Sequence, residues 1–298
     1  MGIPGREDGT PARDDAARHG AAHHGAALDG AVHHGAVHHG AAGQKAELWW
    51  DERGTGEPLV LLHGGLADSR FFSRNVPALA ERFHVYTPDA RGHGHTPDAP
   101  GPITPELLLQ DAVAFLTTVV GGPAHLAGHS MGATTALHAA LRHPGLVRRL
   151  ILVSASIRPP RLKAPDSPWP GLDELVRFLG PGYGEISPDG QAHFPVVAGK
   201  IVTMLTGAPA LAQADLGGVG RRTLLMAGDE DAVPLDDTLA LYDEIPGAEL
   251  AIVPGTSHFL LREKPGLCNA IMLDFLTGAH VPAVPPVRRA RARGSRLR

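Results

Sequence analysis

The sequence predicts an α/β fold in which helices flank a mostly parallel central sheet. The first supporting observation is an alternation of short apolar runs with stretches of helical length and periodicity between residues 44 and 279. Such alternation is typical of parallel sheets covered on both faces. The second is a glycine-flanked turn at residues 128–132, which joins an apolar run to an alanine-rich helical stretch. The third is a segment at about 158–220 that the alternation does not need.

Each predicted element follows from its local pattern. The predicted strands are short runs dominated by leucine, isoleucine, valine and alanine, whereas the predicted helices are longer and repeat apolar residues with helical spacing. In chain order, the predicted strands cover residues 58–62, 84–87, 125–127, 150–153, 223–227 and 250–253. The predicted helices cover residues 107–120, 131–142, 235–244 and 260–276.

Composition and charge exclude several classes of protein. The chain has 298 residues, 43% of them hydrophobic, and a formal net charge of −4, which does not suggest a specific nucleic-acid-binding protein. No apolar run is long enough to span a membrane, and the N-terminus lacks the apolar core of a signal peptide, so we expect a cytoplasmic protein. The single cysteine, Cys268, excludes an internal disulfide and a cysteine-rich zinc module, and we interpret it as a packing residue.

Both ends differ in composition from the middle of the chain. Residues 1–43 contain a five-residue repeat rich in paired histidines, glycine and alanine, and hold seven of the 18 histidines. Paired imidazoles can bind zinc or nickel, but a glycine in every repeat leaves the backbone unfixed, so we favour a disordered low-complexity tail. Residues 280–298 are rich in proline and carry six arginines and no acidic residue. We expect a solvated basic tail whose contacts with nucleic acid or anionic lipid would be nonspecific.

The turn at residues 128–132 has the sequence Gly-His-Ser-Met-Gly. A strand before it and a helix after it are the context that a nucleophile elbow requires. The turn is so sharp that the positions two before and two after the serine must be small, and Gly128 and Gly132 occupy them. Ser130 then lies at a helix N-terminus, where negative charge is favoured and the amide of Met131 points toward an oxyanion. We therefore predict that Ser130 is a nucleophile.

A serine hydroxyl attacks only when a base removes its proton, and that base needs an orienting acid. The sequence Asp-Glu-Asp directly follows a predicted strand, at the edge where α/β sheets build their sites. Among Asp229, Glu230 and Asp231, we favour Asp231 as the acid. His258, on the loop before the last predicted helix, is the candidate base. Nucleophile, acid and base thus follow a chain order that is characteristic of one fold.

Two glycine-containing loops lie upstream of the turn. The sequence His-Gly-Gly-Leu at residues 63–66 follows the first predicted strand, and its glycines let a backbone amide approach a substrate carbonyl. Together with Met131 this loop would complete an oxyanion hole, with Gly65 as the favoured donor and Leu66 as the alternative. The sequence Asp-Ala-Arg-Gly-His-Gly-His-Thr at residues 89–96 ends the next predicted strand with a tight turn.

Along the chain, these five motifs are the loop at 63–66, the loop at 89–96, the turn at 128–132, the acidic sequence at 229–231 and the loop with His258. With them in this order, the chain resembles the α/β-hydrolase superfamily over roughly residues 46–278. The resemblance implies an α/β-hydrolase fold with Ser130 as nucleophile, Asp231 as acid and His258 as base. It also implies that the segment at about 158–220 is a small helical cap over the active site. The remaining histidines and the arginine of the motifs are interpreted as structural; these are His63, Arg91, His93, His95 and His129.

The resemblance implies a serine hydrolase that cleaves a carboxylic ester or lactone through an acyl-enzyme intermediate, without a metal or organic cofactor. The apolar residues of the cap favour a small-molecule acyl substrate with apolar character. Two alternatives use the same triad, namely a cofactor-free perhydrolase and a hydrolase of carbon–carbon bonds. A third hypothesis is a noncatalytic receptor that binds a small ligand without turnover.

Overall fold

The computed structural model describes residues 47–160, 167, 169–209 and 213–279. The two predicted tails, at 1–43 and 280–298, lie outside the described residues, as do parts of the segment at about 158–220. The proposed character of both tails therefore stays a prediction.

A seven-stranded sheet forms the centre of the described chain, in the order β1-β3-β2-β4-β5-β6-β7. All neighbouring strands pair in parallel except β1, which is antiparallel to β3. The strands are β1 Trp50–Arg53, β2 Glu57–Leu62, β3 Phe83–Pro88, β4 Ala124–His129, β5 Val147–Val153, β6 Thr223–Gly228 and β7 Glu249–Val253. The sheet confirms the predicted fold class, and each predicted strand lies within one of β2 to β7. Strand β1 is not predicted from the sequence, because it is a short edge strand with three charged residues and no apolar run.

Helices flank the sheet and also fill the segment between β5 and β6. They are α1 Val76–Leu79, α2 Pro105–Thr118, α3 Met131–Arg142, α4 Leu172–Gly184, α5 Phe194–Gly207, α6 Gln213–Leu216, α7 Leu235–Glu244, α8 Leu260–Glu263 and α9 Pro265–Thr277. Short 3-10 turns cover Ser69–Phe72, Pro144–Leu146 and Gln191–His193.

The prediction of one continuous helix over residues 260–276 is wrong. The structure has two helices there, α8 and α9, separated by Lys264 with φ −129° and ψ 59°. Pro265 occupies the first position of α9. A proline ring disfavours helical dihedrals at the preceding residue, so the chain must leave the helix at Lys264 before it starts again.

Apolar side chains cover both faces of the sheet, because successive residues of a strand point to opposite sides. Val60 belongs to one buried cluster, together with Phe115 of α2, whereas Leu59 and Leu61 belong to another, together with Phe275 of α9. Strand β4, which leads to the predicted elbow, is buried along its whole length. The elbow is thus mounted on one of the most constrained strands of the core.

The inserted segment, defined as the residues between β5 and β6, packs on the core through α5. Its residues Phe194, Val197 and Ile201 are buried in a third apolar cluster with Leu108 of α2 and Met131 of α3. This packing holds α5 beside the first turn of the helix that follows the elbow.

Charged contacts also join the inserted segment to the core. Arg70 donates a hydrogen bond to Glu185 (2.9 Å), just after α4, and Lys200 of α5 donates to Asp98 (2.6 Å) in the loop after β3. The inserted segment is therefore fixed on both of its longer helices. Within the residues that the structure describes, no helix is long and apolar enough to cross a membrane.

Candidate active site

Ser130 lies in a strained turn between β4 and α3. Its φ of 53° falls in the left-handed region that side chains other than glycine rarely adopt, so the turn holds it there against a cost of order 1–3 kcal/mol. Its amide donates to the carbonyl oxygen of Val153 in β5 (2.9 Å), which ties the turn to the neighbouring strand. The turn thus presents Ser130 at the N-terminus of α3 and the carboxyl edge of the sheet.

The two glycines of the turn have no room for a side chain. A Cβ atom at Gly128 would collide with the carbonyl of Gly132, and one at Gly132 would collide with the carbonyl of Leu62 in β2. Both obstacles are backbone atoms, which cannot rotate away. The sharpness of the turn therefore depends on glycine at these two positions.

Asp231 and His258 form a buried pair close to this edge of the sheet. The Nδ1 atom of His258 lies 2.8 Å from Oδ1 of Asp231, and their side chains are 6% and 0% exposed. The two alternative acids, Asp229 and Glu230, are exposed. Asp229 instead accepts a hydrogen bond from the backbone amide of Thr256 (3.1 Å), in the loop that carries His258.

A second serine holds the carboxylate of Asp231. Strands β4, β5 and β6 are adjacent, so the residue after β5 lies beside the loop after β6. That residue, Ser154, is 1% exposed, has a φ of 53°, and donates its hydroxyl to Oδ2 of Asp231 (2.6 Å). The backbone amide of Val233 donates to Oδ1 (2.9 Å). Burial by itself would raise the pKa of Asp231, but the hydrogen bonds and charge of His258 and the bonds from Ser154 and Val233 outweigh it and lower this pKa.

Replacement of Ser154 tests this arrangement. We expect Ser154→Gly and Ser154→Ala to lower the unfolding free energy at pH 7 by about 1–3 kcal/mol, because each leaves Oδ2 of the buried Asp231 carboxylate without the hydroxyl that donates to it. Since the pKa of Asp231 is depressed in the fold, the hydrogen bond stabilises the protein above the unfolded pKa and is lost as pH falls through the folded value. Denaturant unfolding between pH 7 and pH 3 should therefore show the difference shrinking in acid.

The two variants of Ser154 separate the hydrogen bond from backbone strain. Glycine adopts the positive φ at this position without steric strain, whereas alanine retains the strain that serine has. The glycine variant should therefore be the more stable of the two. A destabilisation that is equal at pH 7 and pH 3 would contradict the assignment of the effect to Asp231.

One of the two candidate amides of the upstream loop already has a hydrogen-bond partner in the structure. The amide of Leu66 donates to Nε2 of His93 (3.1 Å), while Nδ1 of His93 donates to the carbonyl oxygen of Arg91 (2.9 Å). Burial, followed by the charge of His63, lowers the pKa of His93 to about 3, so its ring is neutral and can accept this bond. The engagement of the Leu66 amide favours Gly65 as the amide available to a ligand. Gly65, Leu66 and Met131 all line the same cavity as Ser130.

Two further histidines fix the backbone around this cavity. His63 accepts from the amide of Ala90 through Nε2 (2.9 Å) and donates from Nδ1 to the carbonyl oxygen of Gly64 (2.8 Å). His129 donates from Nε2 to the carbonyl oxygen of His258 (2.8 Å), so the residue beside the elbow holds the loop of the candidate base. Burial, and next the charge of His258, lowers the pKa of His129 to about 3, which keeps its ring neutral.

Ser130 and His258 line one cavity of about 680 Å³, beneath the inserted segment. Apolar side chains predominate in its lining, among them Phe71, Ile201 and Leu205. Trp169 of the inserted segment contacts the edge of the site, with its ring 4.7 Å from that of His258 in a T-shaped arrangement. A cavity of this size and character is suited to a small or medium organic ligand.

Several charged side chains at this cavity form ion pairs. Arg70 bonds Asp68 (2.9 Å) as well as Glu185, and Arg158 bonds Asp237. Among the described residues, no group of three or more histidine, cysteine or acidic side chains is arranged to hold a metal ion. Besides these charged groups, the lining holds the hydroxyl of Ser130, the imidazole of His258 and the polar side chains of Thr134 and His138.

Cys268 lies away from this cavity, as a packing residue of α9. It is fully buried, and burial raises the pKa of its thiol to about 11, so it stays protonated and unreactive. Its Sγ donates to the carbonyl oxygen of Leu260 (3.3 Å).

Comparison with known proteins places this architecture among characterised families. The model of the alpha/beta hydrolase family matches residues 59–271. Among curated relatives, a 2-hydroxymuconate semialdehyde hydrolase of Pseudomonas sp. (strain CF600) is 29% identical over 265 residues, 78% of this chain and 91% of that protein. A pimeloyl-[acyl-carrier protein] methyl ester esterase of Methylococcus capsulatus is 35% identical over 133 residues, 44% of this chain and 49% of that protein. The solved enol-lactonase of Burkholderia xenovorans LB400 superposes with a TM-score of 0.64 and 26% identity, over 78% of this chain and 97% of the lactonase.

Proposed function

Because the chain belongs to the alpha/beta hydrolase family, we propose that it is a serine hydrolase that cleaves carboxylic esters or lactones through an acyl-enzyme intermediate. The observation that carries the proposal is the buried 2.8 Å hydrogen bond between Asp231 and His258, with His258 and Ser130 lining one cavity. An acid, a base and a hydroxyl in this relation are the parts that nucleophilic acyl transfer requires.

Asp231 holds His258 in the tautomer that carries its proton on Nδ1. Since the carboxylate is ionised and accepts from Nδ1, the Nε2 atom of His258 is left as the basic nitrogen. His258 removes the hydroxyl proton of Ser130 as the oxygen attacks the acyl carbon, and Asp231 stabilises the imidazolium that forms.

The tetrahedral intermediate places negative charge on the former carbonyl oxygen. The amides of Gly65 and Met131 stabilise it, and the N-terminus of α3 adds its favourable dipole. His258 then gives its proton to the leaving alcohol, so that the acyl group stays on Ser130. A water molecule, deprotonated by the same imidazole, attacks the acyl carbon; the bond to Ser130 breaks, His258 returns the proton to the Ser130 oxygen, and the carboxylic acid is released.

The inserted segment acts as a cap that excludes bulk water from this reaction. Trp169, Ile201 and Leu205 place apolar surface over the pocket, and burial of an apolar acyl or alcohol group against them supplies binding energy. The pairing of Arg70 with Asp68 and Glu185 leaves little net charge there, which favours uncharged substrates with apolar character.

Steady-state hydrolysis of p-nitrophenyl esters and of simple lactones tests the proposal. We expect hydrolysis of both classes without added metal or cofactor, and a burst of p-nitrophenol that matches the enzyme concentration where deacylation is slow. Binding of a small ligand with no turnover would instead favour a receptor. Turnover confined to peroxide-dependent acid oxidation or to carbon–carbon cleavage would assign the same triad to one of those reactions.

A further inference from the structure

Resting on this proposed function, we propose that the cavity extends past Ser130 as an acyl-chain arm along α3, which takes a straight acyl chain of roughly eight to ten carbons with a neutral hydrogen-bonding group at its far end. The arm is defined by Ser130, Thr134 and His138, all of which line the cavity. His138 is the residue that would contact the terminal group.

The spacing of these three residues sets the length of the arm. Thr134 and His138 lie four positions apart in α3, so their side chains share one face of the helix, and Ser130 directly precedes the first residue of α3. Eight residues at 1.5 Å each place His138 about 12 Å from Ser130. An extended chain covers roughly 1.2 Å per bond, so about ten bonds bridge this distance.

The walls of the arm suit a hydrocarbon chain. Pro105 and Leu108 of α2, the helix packed beside α3, line the same cavity, and Met204 and Leu205 of α5 line it from the inserted segment. At the catalytic end, a Cβ atom at Gly65 would lie 3.6 Å from Leu205 Cδ1, so this wall begins directly at the proposed oxyanion donor. An acyl chain attached at Ser130 therefore has apolar surface along its path.

His138 differs from the other histidines around the cavity. Hydrogen bonds hold the rings of His63, His93, His129 and His258. The half-buried ring of His138, in contrast, makes no hydrogen bond with the described residues.

The charged groups near His138 are already engaged with each other. One turn further along α3, Arg142 pairs with Glu106 of α2. Burial, and next the charge of Arg142, lowers the pKa of His138, so its ring is neutral at neutral pH. A neutral imidazole can donate one hydrogen bond and accept another, which suits a hydroxyl or ester oxygen better than a cation.

Chain-length profiles of kcat/KM test the arm. The substrates are p-nitrophenyl acetate, octanoate and 8-hydroxyoctanoate, with octyl acetate as the ester that carries the chain on the alcohol. We expect octanoate to exceed acetate by about ten-fold or more, and the hydroxyl group to add about five-fold. Thr134→Phe, which fills the arm one turn from Ser130, should lower the ratio of octanoate to acetate by about ten-fold. His138→Leu should abolish only the preference for the hydroxyl-terminated chain.

A matched control places the same bulk outside the cavity. Val196 of α5 is 48% exposed and absent from the cavity lining, so Val196→Phe should leave both ratios unchanged. Equal ratios in the wild type, Thr134→Phe and His138→Leu would overturn the arm, as would a chain-length preference found only in the alcohol. In each of these cases short esters would still be hydrolysed, whereas failure of the proposed function would abolish turnover of every ester.

Discussion

Ser130→Ala should lower kcat/KM for ester hydrolysis by at least about a thousand-fold, because no other group of the elbow can form the acyl-enzyme. Ser130 has no hydrogen-bonded side-chain role in the core, since only its backbone atoms bond Val153 and Thr134. The variant should therefore fold normally, and its melting temperature should match that of the wild type within a few degrees. Activity is best measured on a short p-nitrophenyl ester at saturating and subsaturating concentrations.

The matched control for Ser130 is Ser156, another serine that lines the cavity. Ser156 donates its hydroxyl to Asp237 and lies outside the proposed triad. We expect Ser156→Ala to lose far less activity than Ser130→Ala. If Ser130→Ala retained more than a tenth of the wild-type kcat/KM while remaining free of wild-type contamination, Ser130 would not be the nucleophile.

Asp231→Asn should reduce kcat by about 10³- to 10⁴-fold, the second largest effect expected in this protein. An amide at this position can donate to the histidine, so it permits the tautomer of His258 whose proton lies on Nε2, the nitrogen that must act as base. It also removes the negative charge that stabilises the imidazolium. Fold and cavity should be retained, which the melting temperature and near-ultraviolet circular dichroism would verify.

Asp229→Asn is the control for this substitution, because Asp229 belongs to the same loop after β6. Asp229 is exposed and bonds the backbone of Thr256, not a histidine ring. We expect its replacement to cost no more than about ten-fold. Larger loss in Asp229→Asn than in Asp231→Asn would move the acid to Asp229 and contradict the geometry described above.

Features of the fold and of the candidate site that depend on local patterns are predictable from the sequence. Strand β4 and helix α3 are marked by a buried run and an alanine-rich stretch, and the elbow between them needs glycine where backbone atoms approach. The alternation of strands and helices predicts the parallel sheet, because this alternation is also a pattern of local sequence. Motif context favours Asp231 over Asp229 as the acid; in the structure Asp231 bonds the ring of His258, whereas Asp229 bonds the backbone amide of Thr256.

The features missed by sequence analysis depend on contacts between distant parts of the chain. Ser154 belongs to no motif, and it reaches Asp231 only because β5 and β6 are neighbours in the sheet. The bond between His93 and the Leu66 amide joins two loops in the same way. Helix α4 contains Pro181, and a proline in the interior of a segment usually argues against a helix there. The boundaries of α4 are therefore not predictable from the local pattern.

Covalent labelling with a fluorophosphonate tests the central claim most directly, because such probes react with a serine only when its hydroxyl is activated by a base. Intact-mass and peptide mass spectrometry should show one adduct per chain, on Ser130, formed in parallel with loss of esterase activity. Labelling should be absent in Ser130→Ala and strongly slowed in His258→Ala. Failure of folded wild-type protein to react at Ser130, or an adduct on another residue that accounts for the inactivation, would contradict the account.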